Sequence, residues 1–63
     1  MLDQALLREQ FLALLDKERQ AERVYADLAG RTSDESLRQA IQLLHRDKQR
    51  HIALAERLLE MVD

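Results

Sequence analysis

The sequence predicts an all-α fold: an antiparallel helical hairpin that dimerises into a four-helix bundle. Three features carry this. There is no proline and a single glycine, Gly30, in a chain rich in Leu, Ala, Glu, Gln, Arg and Lys, so nearly every residue favours helix. Apolar residues recur at alternating intervals of four and three along both halves, the pattern of a helix presenting one stripe to a partner. One short polar break divides the two stripes.

The first helix is expected over about 3–29, with its stripe at Leu7, Phe11, Leu14, Glu18, Ala21, Tyr25 and Leu28. The turn is expected over about 30–33. There Gly30 suits a left-handed residue closing a helix, and Thr32 with Glu35 has the spacing of a capping box. Ser33 and Asp34 are alternative caps. The second helix is expected over about 34–62, with its stripe at Leu37, Ile41, Leu44, Lys48, His51, Ala55, Leu58 and Val62. The whole chain, 1–63, reads as one such unit.

A turn near residue 33 sets a register. Glu18 and Lys48 are equally far from it along the chain, roughly 22 Å at a rise of about 1.5 Å per residue, so they should face each other. The same count places Tyr25 beside Ile41, Phe11 beside Ala55 and Leu14 level with His51. The polar members of both stripes thus converge on one central layer.

Size and stripe width together call for self-association. A chain of 63 residues buries only about 60% of the surface it exposes when unfolded. With no cysteine, disulfides cannot compensate. Leu6, Leu12 and Leu15 flank the first stripe, and Ala40, Leu43, Leu54, Leu59 and Met61 the second, which is wider than a two-helix contact needs. Two paired hairpins would cover both flanks, and two-fold dimers are the commonest homo-oligomers.

Glu18, Lys48 and His51 within an apolar stripe need partners, because an unpaired buried charge costs several kcal/mol. One reading is a core ionic layer in which two Glu18 and two Lys48 cancel and His51 adds hydrogen bonds. The other makes Glu18 and His51, with Glu22 and Asp47, ligands for iron, manganese or zinc, since carboxylate and imidazole suit those ions. Lys48 weighs against it, because an ammonium repels a nearby dication. Asp47 is four residues from His51 and is placed to hold its imidazole. His45 lies off the stripe and reads as solvated. Tyr25 sits one heptad from Glu18, its ring in the core. Asp16, Arg23, Arg46 and Glu60 fall opposite the stripes, on a solvated face.

Glu18, Tyr25 seven residues later, Leu28-Ala29, a short turn containing Asp34, then Leu37, Ile41, Leu44 and His51 resemble one half of the rubrerythrin and ferritin-like di-iron family. The resemblance spans about residues 7–62. It implies a helix pair contributing a first-helix Glu ligand, matched by Glu18, and a Glu-x-x-His motif on the second helix, matched at His51. Tyr25 corresponds to the nearby tyrosine. Lys48 stands where the motif has its Glu, so the motif reads Lys48-Gln49-Arg50-His51. In intact members the site oxidises iron, reduces peroxide or stores metal.

The function expected is therefore a metal-free, ferritin-like homodimeric bundle with a structural or interaction role and no cofactor. The alternative is a di-iron-type oxidoreductase or a metal carrier binding iron or manganese through Glu18 and His51. A plain helical adaptor for another protein's helix is a third reading. The formal charge of −2 is spread as mixed signs without a basic stripe, so nucleic acid is not an expected partner. Apolar runs are far shorter than the ~20 residues that cross a bilayer, and no basic leader is visible, so a cytoplasmic location is expected.

Overall fold

In a computed structural model, residues 3–62 form an antiparallel hairpin of two long helices. Positions 1–2 and 63, the ends of the predicted unit, lie outside the described residues. Helix α1 spans Gln4–Arg31 and helix α2 spans Glu35–Met61. The hairpin measures 49 × 15 × 14 Å, a long rod made of two helices.

Local chemistry sets the helix ends, and it differs from the expected turn. Gly30 is not left-handed: α1 runs through it to Arg31, and no described residue has positive φ. The helix stops at Thr32, whose backbone is extended (φ −89°, ψ 123°) and whose hydroxyl donates to the Leu28 carbonyl at 2.6 Å. That hydroxyl satisfies one of the carbonyls a helix end leaves open. Arg31 also pairs with Asp27, Nε to Oδ2 at 3.0 Å, in the last turn, where a cation is favoured by the helix dipole.

The cap of α2 is Asp34, not Thr32. Asp34 Oδ1 accepts from the Leu37 backbone N–H at 2.8 Å, the third amide of the helix and the usual reach of an N-cap side chain. Glu35 is thereby the first helical residue and not the third, which a box with Thr32 requires, and it pairs with Arg38 instead. At the other end Asp3 caps α1 by accepting from Ala5 at 3.2 Å.

The inter-helix contact uses only part of each predicted stripe. Phe11, Glu18 and Tyr25 on α1, and Ile41, Lys48, Ala55 and Val62 on α2, turn inward as expected. They are joined by the residues four places later in each heptad: Leu15, Glu22 and Ala29 on α1, and His45, Ile52 and Leu59 on α2. Only Leu15 and Ala55 are buried, at 6% and 1% exposure. Other members of the stripe face outward: Leu14, Leu28, Leu37 and Leu44 are 42–55% exposed and His51 is exposed with them, while Leu7, Ala21 and Leu58 are half-buried.

Gly30 is helical, and a Cβ added there would meet nothing within 4 Å. Gly30→Ala is therefore expected to raise stability by about 0.5–1 kcal/mol, the cost of glycine inside a helix. Urea denaturation at fixed protein concentration measures it. A left-handed Gly30 would give the opposite sign.

Candidate functional site

Two cross-helix polar contacts and one groove make up the candidate site. Glu18 lies midway along α1 and Lys48 midway along α2. Lys48 Nζ lies 3.3 Å from Glu18 Oε2, with the two side chains 25% and 16% exposed. His51, one turn further along α2, directs Nδ1 at the same oxygen from 3.2 Å. Because a carboxylate only accepts, Nδ1 is the protonated nitrogen in this contact. Glu18 thus serves two donors, and the three residues share one level, as the register predicts.

The second contact was not expected. His45 does not lie in solvent: its Nε2 donates to Glu22 Oε1 at 2.7 Å, and both side chains are three-quarters buried. This pair sits one turn closer to the loop than Glu18 and Lys48, on the opposite flank of the contact from His51. The signal was present in the sequence. Glu22 and His45 are almost equally far from the turn, so the same counting that matched Glu18 with Lys48 brings them together. Neither belongs to the apolar stripe, so periodicity alone gives no sign of the contact.

Asp47 does not hold His51. Its Oδ1 takes the Arg50 guanidinium instead, since three residues along the same helix is an easy reach for a long flexible side chain. Of the four possible metal ligands, the structure brings Glu18 and His51 together, while Glu22 is engaged by His45 and Asp47 by Arg50. Tyr25 lies half-buried one heptad from Glu18. Among the described residues, no three of His, Asp and Glu stand close enough to share an ion. This donor set, with an ammonium on its central carboxylate, does not fit a di-metal centre.

Beside the layer, Leu14, Glu18, His51, Leu54, Ala55 and Leu58 line an open groove of about 230 Å³. Leu14 and Leu54 are 42% and 56% exposed, and Leu28, Leu37, Leu44, Val24 and Met61 continue the apolar surface toward both ends. By heptad position these residues share one side of the rod. On the opposite side Arg19 and Glu56 bridge the helices at 3.7 Å, and three exposed leucines, Leu6, Leu12 and Leu43, also lie off the apolar side. No helix is long and apolar enough to cross a membrane among the described residues.

In comparisons with known proteins, no family model, no curated protein and no solved structure matches the chain.

Glu18 is the most enclosed charge of the layer, and Lys48 is its only permanent cation. Lys48→Ala is expected to destabilise the protein by about 1–2 kcal/mol, less than a fully dry pair because both side chains keep some solvent. A double-mutant cycle with Glu18→Gln by chemical denaturation reads the coupling; a value near zero would show that the pair contributes no net stability.

Proposed function

We propose that this chain acts as a homodimeric four-helix-bundle module with a structural or interaction role, a rubrerythrin-like half-bundle in which Glu18, Lys48 and His51 form a core ionic layer in place of a di-metal site. Its action is non-enzymatic and its setting cytoplasmic. The observation that carries this reading is the continuous apolar side of the hairpin. Seven large apolar side chains, each at least 42% exposed, lie along it, and contiguous surfaces of this kind mark association sites.

Two quantities favour a second copy as the occupant. The hairpin exposes 5033 Å², whereas a compact monomer of its 7.4 kDa mass exposes about 4200 Å². The excess, roughly 800 Å², equals what one partner buries in a standard interface. The second quantity is angular. In a 3.5-residue repeat the centre of each 4-3 stripe lies roughly 50° from the direction of the other helix in the hairpin. The centre of a square four-helix bundle lies about 45° from that direction. Both stripes turn toward the same side, so each points where a bundle core would be.

The chemistry of the layer supports a metal-free state. Two hairpins would bring two Glu18 carboxylates already matched by two Lys48 ammonium groups, so little net negative charge remains to attract a cation.

Sedimentation equilibrium should show a dimer, and the unfolding midpoint should rise with protein concentration. Leu44→Glu, on the apolar side, should dissociate it, while Leu12→Glu, on the opposite side, should leave the assembly intact. A folded wild-type monomer at micromolar concentration would sink the proposal.

Anaerobic titration with ferrous iron or cobalt tests the layer itself. The wild type should bind weakly. Lys48→Glu, which removes two positive and adds two negative charges per dimer and restores a Glu-x-x-His spacing, should bind stoichiometrically. Tight stoichiometric binding by the wild type would replace the ionic layer with a metal site.

A further inference from the structure

The open side of the rod carries few charges, and their placement bears on how a second copy sits on it. Away from its ends and the central layer, this side bears one cation, Lys17 on α1, and one anion, Asp47 on α2; both occupy the outer edge of the apolar strip. Each immediately precedes the layer residue of its own helix, Glu18 or Lys48, so all four share the middle level of the hairpin. Lys17 is exposed and has no ion-pair partner within its own chain among the described residues. Asp47 is half-buried, and Arg50 occupies its Oδ1, which leaves Oδ2 to accept a second donor.

In a square bundle each helix gains one new neighbour from the second copy, and only two pairings exist. If α1 packs on the partner's α1, the edges bring Lys17 level with Lys17 and Asp47 level with Asp47, two like-charge contacts at the rim of an apolar seam. If α1 packs on the partner's α2, both contacts become Lys17 with Asp47. Because the charged positions lie at the helix midpoints, this match holds whichever way the neighbouring helix runs. The leucines fit it equally well, since Leu7, Leu14, Ala21 and Leu28 share the seven-residue spacing of Leu37, Leu44, His51 and Leu58.

We infer that the second copy docks on the open apolar side with α1 of each chain packed against α2 of the other, the pairing being selected by Lys17 on the partner's Asp47. This rests on the homodimer proposed above. The charges act by excluding the alternative arrangement as much as by stabilising the chosen one, as flanking charges do in coiled coils. The pair lies at a solvated rim, so its selectivity weakens as salt screens it.

Charge exchange tests it without disturbing the hairpin contact, since neither residue lies between α1 and α2. Lys17→Asp and Asp47→Lys should each weaken self-association at low salt about tenfold or more, measured by sedimentation or fluorescence titration. Mixed together, the two variants should form a heterodimer of wild-type affinity, because every contact then joins opposite charges. The double variant in one chain should also recover wild-type affinity. If the single variants dimerise as the wild type does, the inference fails while the dimer stands, whether mixing them gives no preference or, as packing of α1 on the partner's α1 requires, a heterodimer tighter than the wild type. If the wild type is monomeric, both fail together.

Discussion

The width of the apolar stripes is the constraint on which the rest of this molecule depends. Two helices in contact each need about two positions per heptad, and here about half the residues of both helices are apolar. The hairpin therefore has to choose which part of each stripe to close. It turns Phe11, Leu15, Tyr25, Ile41, Ile52, Ala55 and Leu59 inward and leaves Leu14, Leu28, Leu37 and Leu44 outside. With only Leu15 and Ala55 buried, the hydrophobic stabilisation available to one hairpin is small against the backbone entropy of ordering two long helices. The exposed half of each stripe is the reserve from which stability has to be drawn.

Polar residues impose the register within that apolar frame. A purely leucine contact between two regular helices can slip by a heptad at little cost, since one leucine replaces another. Glu18 with Lys48, and Glu22 with His45, remove that freedom. A slip of seven residues would set Glu18 against Ile41 or Ala55 and Lys48 against Phe11 or Tyr25, and leave both charges without a partner in a partly dry contact. The two pairs lie on opposite flanks of the same contact, so they also resist rotation of one helix about its axis. Such pairs add little net stability but make a single alignment distinct from its neighbours.

Much of this was legible from residue order, and the parts that were not have identifiable causes. The two helices, their antiparallel course and the Glu18–Lys48 contact follow from periodicity and from distance along the chain to the turn. The turn was less legible because three capping residues, Thr32, Ser33 and Asp34, stand side by side, and their competition is settled by which oxygen reaches an amide. Gly30 suggested a helix end on composition alone, yet a glycine with open space around it is as compatible with helix as with a left-handed cap. The inward direction of His45, and with it the outward direction of His51, depended on a rotation of half a residue spacing. A 4-3 pattern cannot encode that rotation, because it marks the centre of everything a helix buries and does not separate one neighbour from another. Of the proposed site, the sequence disclosed which charges share a level; which of them touch required coordinates.

The loop between the helices consists of Thr32, Ser33 and Asp34 alone, and its backbone is extended at both caps. So short a connection carries a topological consequence. The contact between α1 and α2 is indifferent to whether both helices belong to one chain, since nothing in the Glu18–Lys48 or Glu22–His45 geometry involves the loop. If residues 32–34 take up helical dihedrals, α1 and α2 merge into one rod of about 58 residues, near 87 Å long at about 1.5 Å per residue. Such a rod could not make the same contact, because the sixteen residues from Tyr25 to Ile41, at about 100° each, would set the inward face of α2 nearly opposite that of α1. The Asp34 cap and the Thr32 hydroxyl on Leu28 are therefore more than end decorations. They end one helix and begin the next at the point where the inward face has to change sides.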